Sequence, residues 1–462
     1  MKKFLCLSLV LAMLTACGQG AAPKTVEWSD EMIALMETVN AEHQQVEKVD
    51  VDYSPYFVTP AENMEDSDMM GKDFTKANIM KDLDYLFELL KKEYGLYDYY
   101  GGDEVFLPAK EAIYAECQET NYMTEEAFRD ILKKHLPMVT DMHLRLNYHT
   151  LETNVIYPYY HTDMIFSKTE EGFVNPEGKI VASVEGYDSP EEVIRRSLTR
   201  EGDLVYYLIL LDLVTSNEDT EREAVVHYTD GSSETLVCEV KRSAYFTQQD
   251  YNSHEEYDKE GIPVMYTKHM ESTRSLKAAE KFANEPVSIL NLTCSSMGNI
   301  LDGKTWTTVY DWMKSYAGTE VPSNMKAVFR RNGGNLESLP GYSVAGNEAI
   351  VFGQEDAFIE NDEMLIILTS KLTDGDAEIL VDMAHNLENT LIIGNNTQGS
   401  CISSWDVETK LPNTGILVQL GGNLNLWPEG HFEELYGLMP DIWCPEAIAE
   451  EAAVNFVMKN LK

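Results

Sequence analysis

The chain has 462 residues, of which 44% are hydrophobic and 25% are charged. It is therefore long enough for about two to four domains, and this composition excludes intrinsic disorder of the whole chain. Its 78 acidic and 36 basic residues give a net charge of -42. Such a charge repels phosphate backbones and anionic lipids, so it excludes nucleic-acid binding as a primary role and disfavours an anionic membrane surface as a partner.

The N-terminus has the pattern of a secretory signal. Lys2 and Lys3 precede an apolar run, Phe4–Leu14, that is shorter than the about 20 residues a membrane-spanning helix needs. This combination of a basic start and a short apolar segment predicts a signal peptide over residues 1–16.

The end of this signal resembles the lipobox of bacterial lipoproteins. Residues 14–17 read Leu-Thr-Ala-Cys, and in a lipobox cleavage precedes the cysteine, whose thiol takes a diacylglyceryl group. The resemblance implies a lipid anchor at Cys17 as the only membrane contact, and a location on the outer face of the bacterial cell membrane. The alternative is an ordinary secretory signal in which Cys17 occurs by chance.

The first half of the mature chain divides into two regions. Residues 17–74 are acidic and are predicted to form a tether, with a short amphipathic helix that begins after Ser29 as its N-cap. Apolar side chains then recur at helical spacing over residues 75–151, and another helix start is indicated at Thr124. This second region is predicted to be a helical N-terminal domain.

The second half changes to strands and then to alternating elements. Residues 152–285 are predicted to be β-rich, with a hairpin whose turn is Asp230-Gly231. Over residues 286–462, apolar runs alternate with helical stretches, which predicts an α/β layer with a mixed sheet. The predicted fold class is therefore α/β with α+β character. Leu411–Gly415 fits the sortase pattern L-P-x-T-G, but no apolar tail follows it, so we interpret it as a hairpin turn.

The cysteines and histidines show no local metal or disulfide pattern. Outside the signal and the anchor, five cysteines remain at wide and irregular spacings, and neither C-x-x-C nor H-E-x-x-H occurs. We therefore expect no disulfide framework, no built-in metal site and no cofactor.

Several segments in order carry a family resemblance. They are residues 136–143, with Asp141 and His143 as D-x-H; 178–186, similar to G-D-x-I-x-x-I-N-G; 328–334, similar to D-x-R-x-N-x-G-G; 368–378 and 393–399, similar to a nucleophile turn and the later G-E-x-T-x-G; and 434–442, similar to E-x-x-G-x-x-P-D-I. Together these segments resemble the tail-specific or C-terminal processing serine peptidases, relatives of the tricorn protease core and of the interphotoreceptor retinoid-binding protein repeats.

The resemblance implies a fold and a chemistry. It implies a PDZ-like middle region over 152–285 and a peptidase-like core over 286–462. It also implies peptide-bond hydrolysis by a nucleophile on a tight turn that opens a helix. The backbone N–H groups at Gly333 and Gly334 would then stabilise the oxyanion together with the helix start at Asp376.

The chain departs from the family pattern at the nucleophile. The family serine lies three residues before the glutamate that matches Glu378, and this position is Gly375. The lysine base of one branch falls on Ser400, whereas the histidine base of another branch matches His143, with a glutamate that matches Glu434. Val328 replaces the aspartate of the first core motif.

The charges and hydroxyl groups around this turn allow more than one interpretation. Asp374 and Asp376 flank Gly375, where negative charge would oppose an oxyanion, although aspartates at such a position also cap helices. Thr373 or Ser370 could supply a nucleophilic hydroxyl group only if the turn before Gly375 adopted a different conformation. A shifted alignment register is the other alternative.

Three functions follow from these observations. The first is a surface lipoprotein that binds extended peptides or protein C-termini and has lost hydrolysis. The second is a working peptidase of the same family that uses Thr373 or another hydroxyl group with His143 and Glu434. The third is a binder of small apolar ligands, which rests on fold analogy with the retinoid-binding relatives. The sequence leaves the oligomeric state open.

Overall fold

The computed structural model describes residues 26–46, 75–120, 123–151, 155–214, 221–240, 254–268, 272–297, 304–329, 343–345, 349–352, 358–403 and 406–462. Three of the predicted features, the signal peptide over 1–16, the anchor at Cys17 and the glycine pair Gly333 and Gly334, lie outside the described residues.

Eight α-helices occur in the described residues: α1 Asp30–His43, α2 Lys76–Glu93, α3 Gly102–Glu119, α4 Glu125–His135, α5 Ser272–Phe282, α6 Lys304–Ala317, α7 Asp376–Ala384 and α8 Ala449–Asn460. Two helix starts agree with the prediction from the sequence. Ser29 Oγ accepts the Met32 N–H at 3.0 Å and Thr124 Oγ1 accepts the Ala127 N–H at 3.1 Å, so both side chains are N-caps. The three helices α2 to α4 confirm the predicted helical region.

The described strands are β1 Arg145–Leu146, β2 His149–Thr150, β3 Ile156–Thr169, β4 Gly172–Val174, β5 Val181–Val184, β6 Ile194–Leu198, β7 Leu204–Leu213, β8 Glu221–Tyr228, β9 Ser233–Val240, β10 His254–Lys259, β11 Ile262–Thr267, β12 Val287–Asn291, β13 Ser296–Met297, β14 Lys326–Phe329, β15 Ser343–Ala345, β16 Ala349–Phe352, β17 Met364–Thr369, β18 Asp374–Gly375, β19 Thr390–Gly394, β20 Asp406–Lys410, β21 Leu417–Gly421, β22 Asn423–Leu426 and β23 Ile442–Trp443. The pair β8 and β9 is the predicted hairpin.

A large mixed sheet organises the chain. Its strand order is β10-β11-β12-β17-β19-β23-β6-β7-β3-β9-β8-β5, with β4 paired to β3. The pairs from β11 through β23 to β6 are parallel, and the rest are antiparallel. The predicted α/β class with a mixed sheet is therefore confirmed.

The central strands are buried on both faces. All six residues of β17 are buried, and its side chains alternate between the two faces of the sheet. Leu365 and Ile367 belong to an apolar cluster with α6 and α7, whereas Ile366 and Leu368 belong to another cluster with α1 and α8. This three-layer arrangement explains why the core strands appear in the sequence as continuous apolar runs.

The middle region continues the same sheet and has its own core. The sheet passes from β23 to β6 through one registered residue pair, Trp443 with Ser197, and the Arg195 guanidinium lies 4.9 Å from the centre of the Trp443 ring. Farther along, β3 pairs with β9, whereas β11, which the sequence also assigns to this region, pairs with β12 of the core. An apolar cluster formed only by residues 157–240 supports β3 to β9.

Helix α1 packs against the core, although the sequence analysis assigns it to the tether. Its buried side chains include Leu35, Met36 and Val39, which contact the cluster that contains Ile366 and α8. The Ser29 N–H also donates to the carbonyl of Asn460 at 2.8 Å. This part of the predicted tether is thus integrated into the α/β core by apolar burial.

The L-P-x-T-G segment is the predicted hairpin turn. It connects β20 and β21, and its Leu411 N–H donates to the Ile416 carbonyl at 2.8 Å. Asp82 of α2 accepts four hydrogen bonds from this turn, at 2.7 to 2.9 Å, from the backbone and side chains of Asn413 and Thr414. The turn therefore attaches the helical region to the core.

The described cysteines are unpaired, and the described helices do not have the character of membrane spans. The five cysteines at positions 117, 238, 294, 401 and 444 are free thiols. Among the described residues, none of the helices combines the length and the apolar character required to cross a bilayer.

Candidate functional site

The site is built around the start of α7. Strand β17 ends at Thr369, and after a short turn and the two residues of β18, helix α7 begins at Asp376. Gly375 is the N-cap residue, with φ 57° and ψ -124°. This φ lies in the left-handed region that favours glycine. The position that the family resemblance assigns to the nucleophile is therefore a sharp turn at a helix N-terminus, where the side chain is missing.

A buried carboxylate, Glu378, organises the groups around this turn. Its Oε1 accepts hydrogen bonds from the Thr397 hydroxyl at 2.6 Å and from the Gly399 N–H at 2.8 Å. Its Oε2 accepts from the Ser400 N–H at 3.0 Å and from the Gly375 N–H at 3.2 Å. Burial raises the pKa of Glu378, and these donors oppose that effect. One side chain thus ties the helix start to the loop that follows β19.

Ser400, which matches the lysine base of one family branch, contacts this carboxylate. In addition to its N–H bond, its hydroxyl lies 3.4 Å from Glu378 Oε2, and the residue is buried. The Ser400 side chain is therefore directed to Glu378 and contributes to holding the loop.

Lys371 belongs to the candidate site, although no motif in the sequence points to it. Its Nζ, with three N–H donors, lies within 3.5 Å of four backbone carbonyls, those of Thr397 at 2.5 Å, Gln398 at 3.0 Å, Leu435 at 3.2 Å and Tyr436 at 3.5 Å. Burial lowers the pKa of this ammonium group to about 7, against the opposing effect of nearby glutamates. The sequence signal is a lysine in the short turn after β17, separated from the apolar run by Thr369 and Ser370.

The two loops that Lys371 joins approach each other through glycines. Gly399 and Gly437 both have φ near +76°. A Cβ atom at Gly399 would lie 2.6 Å from the Gly437 nitrogen, closer than real contacts allow. The glycines of the G-E-x-T-x-G and E-x-x-G segments therefore permit a close backbone approach.

The hydroxyl groups before Gly375 are already used by the turn. Thr373 Oγ1 donates to the Leu292 carbonyl at 2.8 Å and accepts the Ser370 N–H at 2.9 Å. Ser370 Oγ donates to the Thr293 carbonyl at 2.5 Å. Both residues are fully buried. Activation of either hydroxyl as a nucleophile would require these bonds to break.

His143 and Asp141 form a buried hydrogen-bonded pair. His143 Nδ1 lies 3.0 Å from Asp141 Oδ1, which also accepts the His143 backbone N–H at 3.0 Å. The Tyr94 hydroxyl donates to the other carboxylate oxygen at 3.0 Å. A carboxylate on Nδ1 leaves Nε2 as the basic nitrogen, which is the orientation that a general base requires.

Glu434 lies beside this pair. Its Oε2 accepts the Ile402 N–H at 2.9 Å, and the Met142 backbone N–H also donates to this carboxyl group. Burial, and next the charge of Asp141, raise the pKa of Glu434 well above its usual range, which favours the neutral form. Its Oε1 is buried and has no hydrogen-bond partner among the described residues.

These contacts form two sets of predicted site residues. Glu378 connects Gly375 with Ser400, and Glu434 connects the loop at Ile402 with the turn that carries His143. Asp376 is fully buried in the first turn of α7, as predicted for an acidic residue at a helix start, although the N-cap itself is Gly375. The site thus contains an oriented histidine, several buried carboxyl groups, and a helix start at which Gly375 supplies no hydroxyl group.

The chain was compared with known proteins. No protein-family model and no curated protein sequence matches it. Among solved structures, it is similar to mature CPAF in complex with lactacystin, with 13% identity, a TM-score of 0.42, and coverage of 84% of this chain and 99% of that chain. It is also similar to the photosystem II D1 C-terminal processing protease, with 12% identity, a TM-score of 0.37, and coverage of 79% and 93%.

A third similar structure is a lipoprotein from Streptococcus agalactiae, with 10% identity, a TM-score of 0.39, and coverage of 85% of this chain and 99% of that chain. These matches concern the fold alone.

Proposed function

We propose that this protein binds extended peptides or protein C-termini in a peptidase-like site and does not hydrolyse them. The observation that carries the proposal is Gly375. It occupies the sharp turn at the start of α7, the place that the family resemblance assigns to the nucleophile, and it has no side chain that can attack a peptide bond.

The neighbouring groups support the loss of hydrolysis. The hydroxyl groups of Ser370 and Thr373 are buried and bonded to backbone groups, and that of Ser400 faces Glu378. To act as a substitute nucleophile, one of these hydroxyl groups would have to lose its hydrogen bonds and also move to the turn at Gly375. The oriented His143 therefore has no hydroxyl proton to accept at this place.

The backbone at the turn supports peptide binding. Strand β18, which contains Gly375, pairs in parallel with β13 on one edge, and within the described part of the chain no strand pairs with its other edge. An extended peptide that adds to this edge would use its backbone carbonyl groups or displace Glu378 from the Gly375 N–H, which it accepts at 3.2 Å. The net charge of -42 favours basic peptides over acidic ones at low salt.

Binding of a small apolar ligand has less support. A cavity of about 200 Å³ lies beside α1, smaller than the roughly 300 to 1,000 Å³ of typical ligand pockets. Its walls include Glu37, Asn40, Asp362 and Glu388 together with apolar side chains. This mixed lining does not match a fully apolar ligand.

The test of the proposal is labelling of the full-length protein with an active-site phosphonate, together with incubation with a peptide library. We expect neither labelling nor cleavage, and we expect calorimetry to detect binding of some extended peptides. A Gly375→Ser variant restores the hydroxyl group, and any labelling that it gains should be lost on His143→Ala. Gly430→Ser is the matched control, because Gly430 also has a positive φ, and a Cβ atom there meets nothing within 4 Å.

Two results would contradict the proposal. The first is labelling of the natural protein that disappears in His143→Ala or Thr373→Ala, which would establish an active peptidase. The second is the absence of binding to every peptide in the library, which would remove the peptide-binding role.

We also propose that the protein is anchored by lipid at Cys17 on the outer face of the bacterial cell membrane. The proposal rests on the basic residues, the short apolar run and the lipobox-like residues 14–17. In cells, we expect the natural protein in the membrane fraction and the Cys17→Ala variant in the soluble fraction or the medium. Equal membrane retention of both proteins would show that Cys17 is not the anchor.

A further inference from the structure

Three histidines lie in a row inside the core, away from the site described above. They come from distant parts of the chain: His43 is the last residue of α1, His385 follows the end of α7, and His431 lies in the segment after β22. The ring centres of His43 and His385 are 4.6 Å apart, and those of His385 and His431 are 4.9 Å apart. A carboxylate contacts the ring at each end of the row.

Asp441, which directly precedes β23, is the carboxylate at one end. Its Oδ1 lies 2.8 Å from His43 Nε2, and the two side chains are only 7% and 2% exposed. Its Oδ2 accepts the Ile392 N–H at 2.7 Å, and its own N–H donates to the Ile392 carbonyl at 2.9 Å. These bonds fix the position of Asp441 relative to the sheet.

The hydrogen bonds of His385 determine which of its nitrogens can bind a ligand. His385 Nδ1 lies 2.9 Å from the Val381 carbonyl, one turn earlier on α7, so Nδ1 carries the proton. Nε2 therefore carries the lone pair. Donation of the second ring N–H to a backbone carbonyl is the usual arrangement of a histidine that ligates a metal.

His43 is incompletely satisfied. Its Nδ1 is buried and has no hydrogen-bond partner among the described residues. A buried ring nitrogen without a partner costs free energy in either tautomer, since it is left as a donor without an acceptor or as an acceptor without a donor. An ion bound beside Asp441 Oδ1 would take His43 Nε2, 2.8 Å away, as its ligand, and Nδ1 would then carry the proton.

His431, which is hydrogen-bonded to Asp382, packs against the ring of His385. His431 Nε2 lies 2.7 Å from Asp382 Oδ1. Asp382 also accepts hydrogen bonds from the Ser323 hydroxyl at 2.5 Å and from the Asn324 backbone and side-chain amides at 2.8 and 2.9 Å. This network holds the rings of His431 and His385 in contact.

We propose that His43, His385 and Asp441 bind a divalent transition-metal ion, with Zn²⁺ as the first candidate. One ligand atom from each residue lies within 4.8 Å of the others. Two imidazole nitrogens and one carboxylate oxygen suit zinc, which often takes three protein ligands and a water molecule, and the same donor set also suits iron(II).

Such a site would hold α1 against the core. His43 ends α1, His385 follows α7, and Asp441 enters β23, so one ion would connect three elements that are far apart in the sequence. Because the three residues are far apart in the sequence, they form no closely spaced cysteine or histidine motif, and the sequence therefore predicts no metal site.

The test uses the full-length protein after treatment with EDTA. Calorimetric titration with ZnCl₂ is expected to show one tight equivalent per chain, and ZnCl₂ is expected to raise the melting temperature. CoCl₂ is expected to give the visible absorption of a nitrogen- and oxygen-ligated ion. His385→Ala and Asp441→Ala are each expected to weaken zinc binding by at least about 100-fold, beyond the loss typical of an outer-shell residue.

His227→Ala is the matched control, because His227 also lies beside a carboxylate, that of Glu185 at 3.1 Å, but is on the surface. We expect it to bind zinc as the natural protein does. His43→Gln, at the end of α1, provides a second ligand variant if His385→Ala does not fold. Absence of stoichiometric binding by the natural protein, or binding unchanged in His43→Gln, would overturn the proposal and leave the cluster as a hydrogen-bonded histidine-aspartate contact.

Discussion

Replacement of Glu378 by alanine is expected to destabilise the fold by at least about 3 kcal/mol, because several buried donors lose their acceptor at once. The donors are the backbone N–H groups of Gly375, Gly399 and Ser400 and the Thr397 hydroxyl. Urea denaturation followed by circular dichroism measures the change as a fall in the transition midpoint.

The matched control is Glu429→Ala, at an exposed glutamate. Its effect is expected to stay within about 0.5 kcal/mol, as for surface substitutions in general. Hydrogen exchange at Gly399 and Ser400 adds a local measurement, since these amides should exchange faster in Glu378→Ala. Equal midpoints for the natural protein and Glu378→Ala would contradict the role of Glu378 as the common acceptor of the turn and the loop.

Replacement of Asp82 by alanine is expected to cost about 3 kcal/mol, again because four bonds to one buried carboxylate are lost. These bonds hold the Asn413-Thr414 turn against α2. Because this contact attaches the helical region to the core, we expect α2 to α4 to become sensitive to proteolysis before the α/β core does. Limited proteolysis and thermal melting measure the two effects.

Asp84→Ala provides a control on the same helix, two residues away. The Asp84 side chain is 81% exposed and forms a surface ion pair with Lys110 at 2.6 Å. Such pairs contribute about 0 to 1 kcal/mol, so the melting temperature should change little. If Asp82→Ala and Asp84→Ala had the same effect, the turn would not depend on its buried carboxylate.

The features that follow from local pattern could be predicted from the sequence. Ser29 and Thr124 were identified as helix caps, and Asp230-Gly231 as a hairpin turn, because each depends on residues only a few positions apart. The alternation of apolar runs and helical stretches after residue 286 predicted the mixed sheet for the same reason. In these places, short-range physical chemistry determines the structure.

The contacts between distant segments could not be predicted in this way. Lys371 reaches carbonyl groups of two loops more than 25 positions later, and Asp82 binds a turn more than 300 positions later. Helix α1 falls within the predicted tether. Its apolar face indicates that the helix packs against another element, but the sequence does not identify that element as the core sheet and α8. Such partners are specified by the assembled fold.

The pairing of β3 with β9 has a consequence for how the middle region is joined to the rest of the chain. Tyr159 near the start of β3 pairs with Val240 at the end of β9, so the chain enters and leaves this region on adjacent strands, about 5 Å apart. A segment whose two ends are neighbours behaves as an insertion. We expect loops within residues 156–240 to tolerate insertions while the strand order from β10 to β23 stays the same.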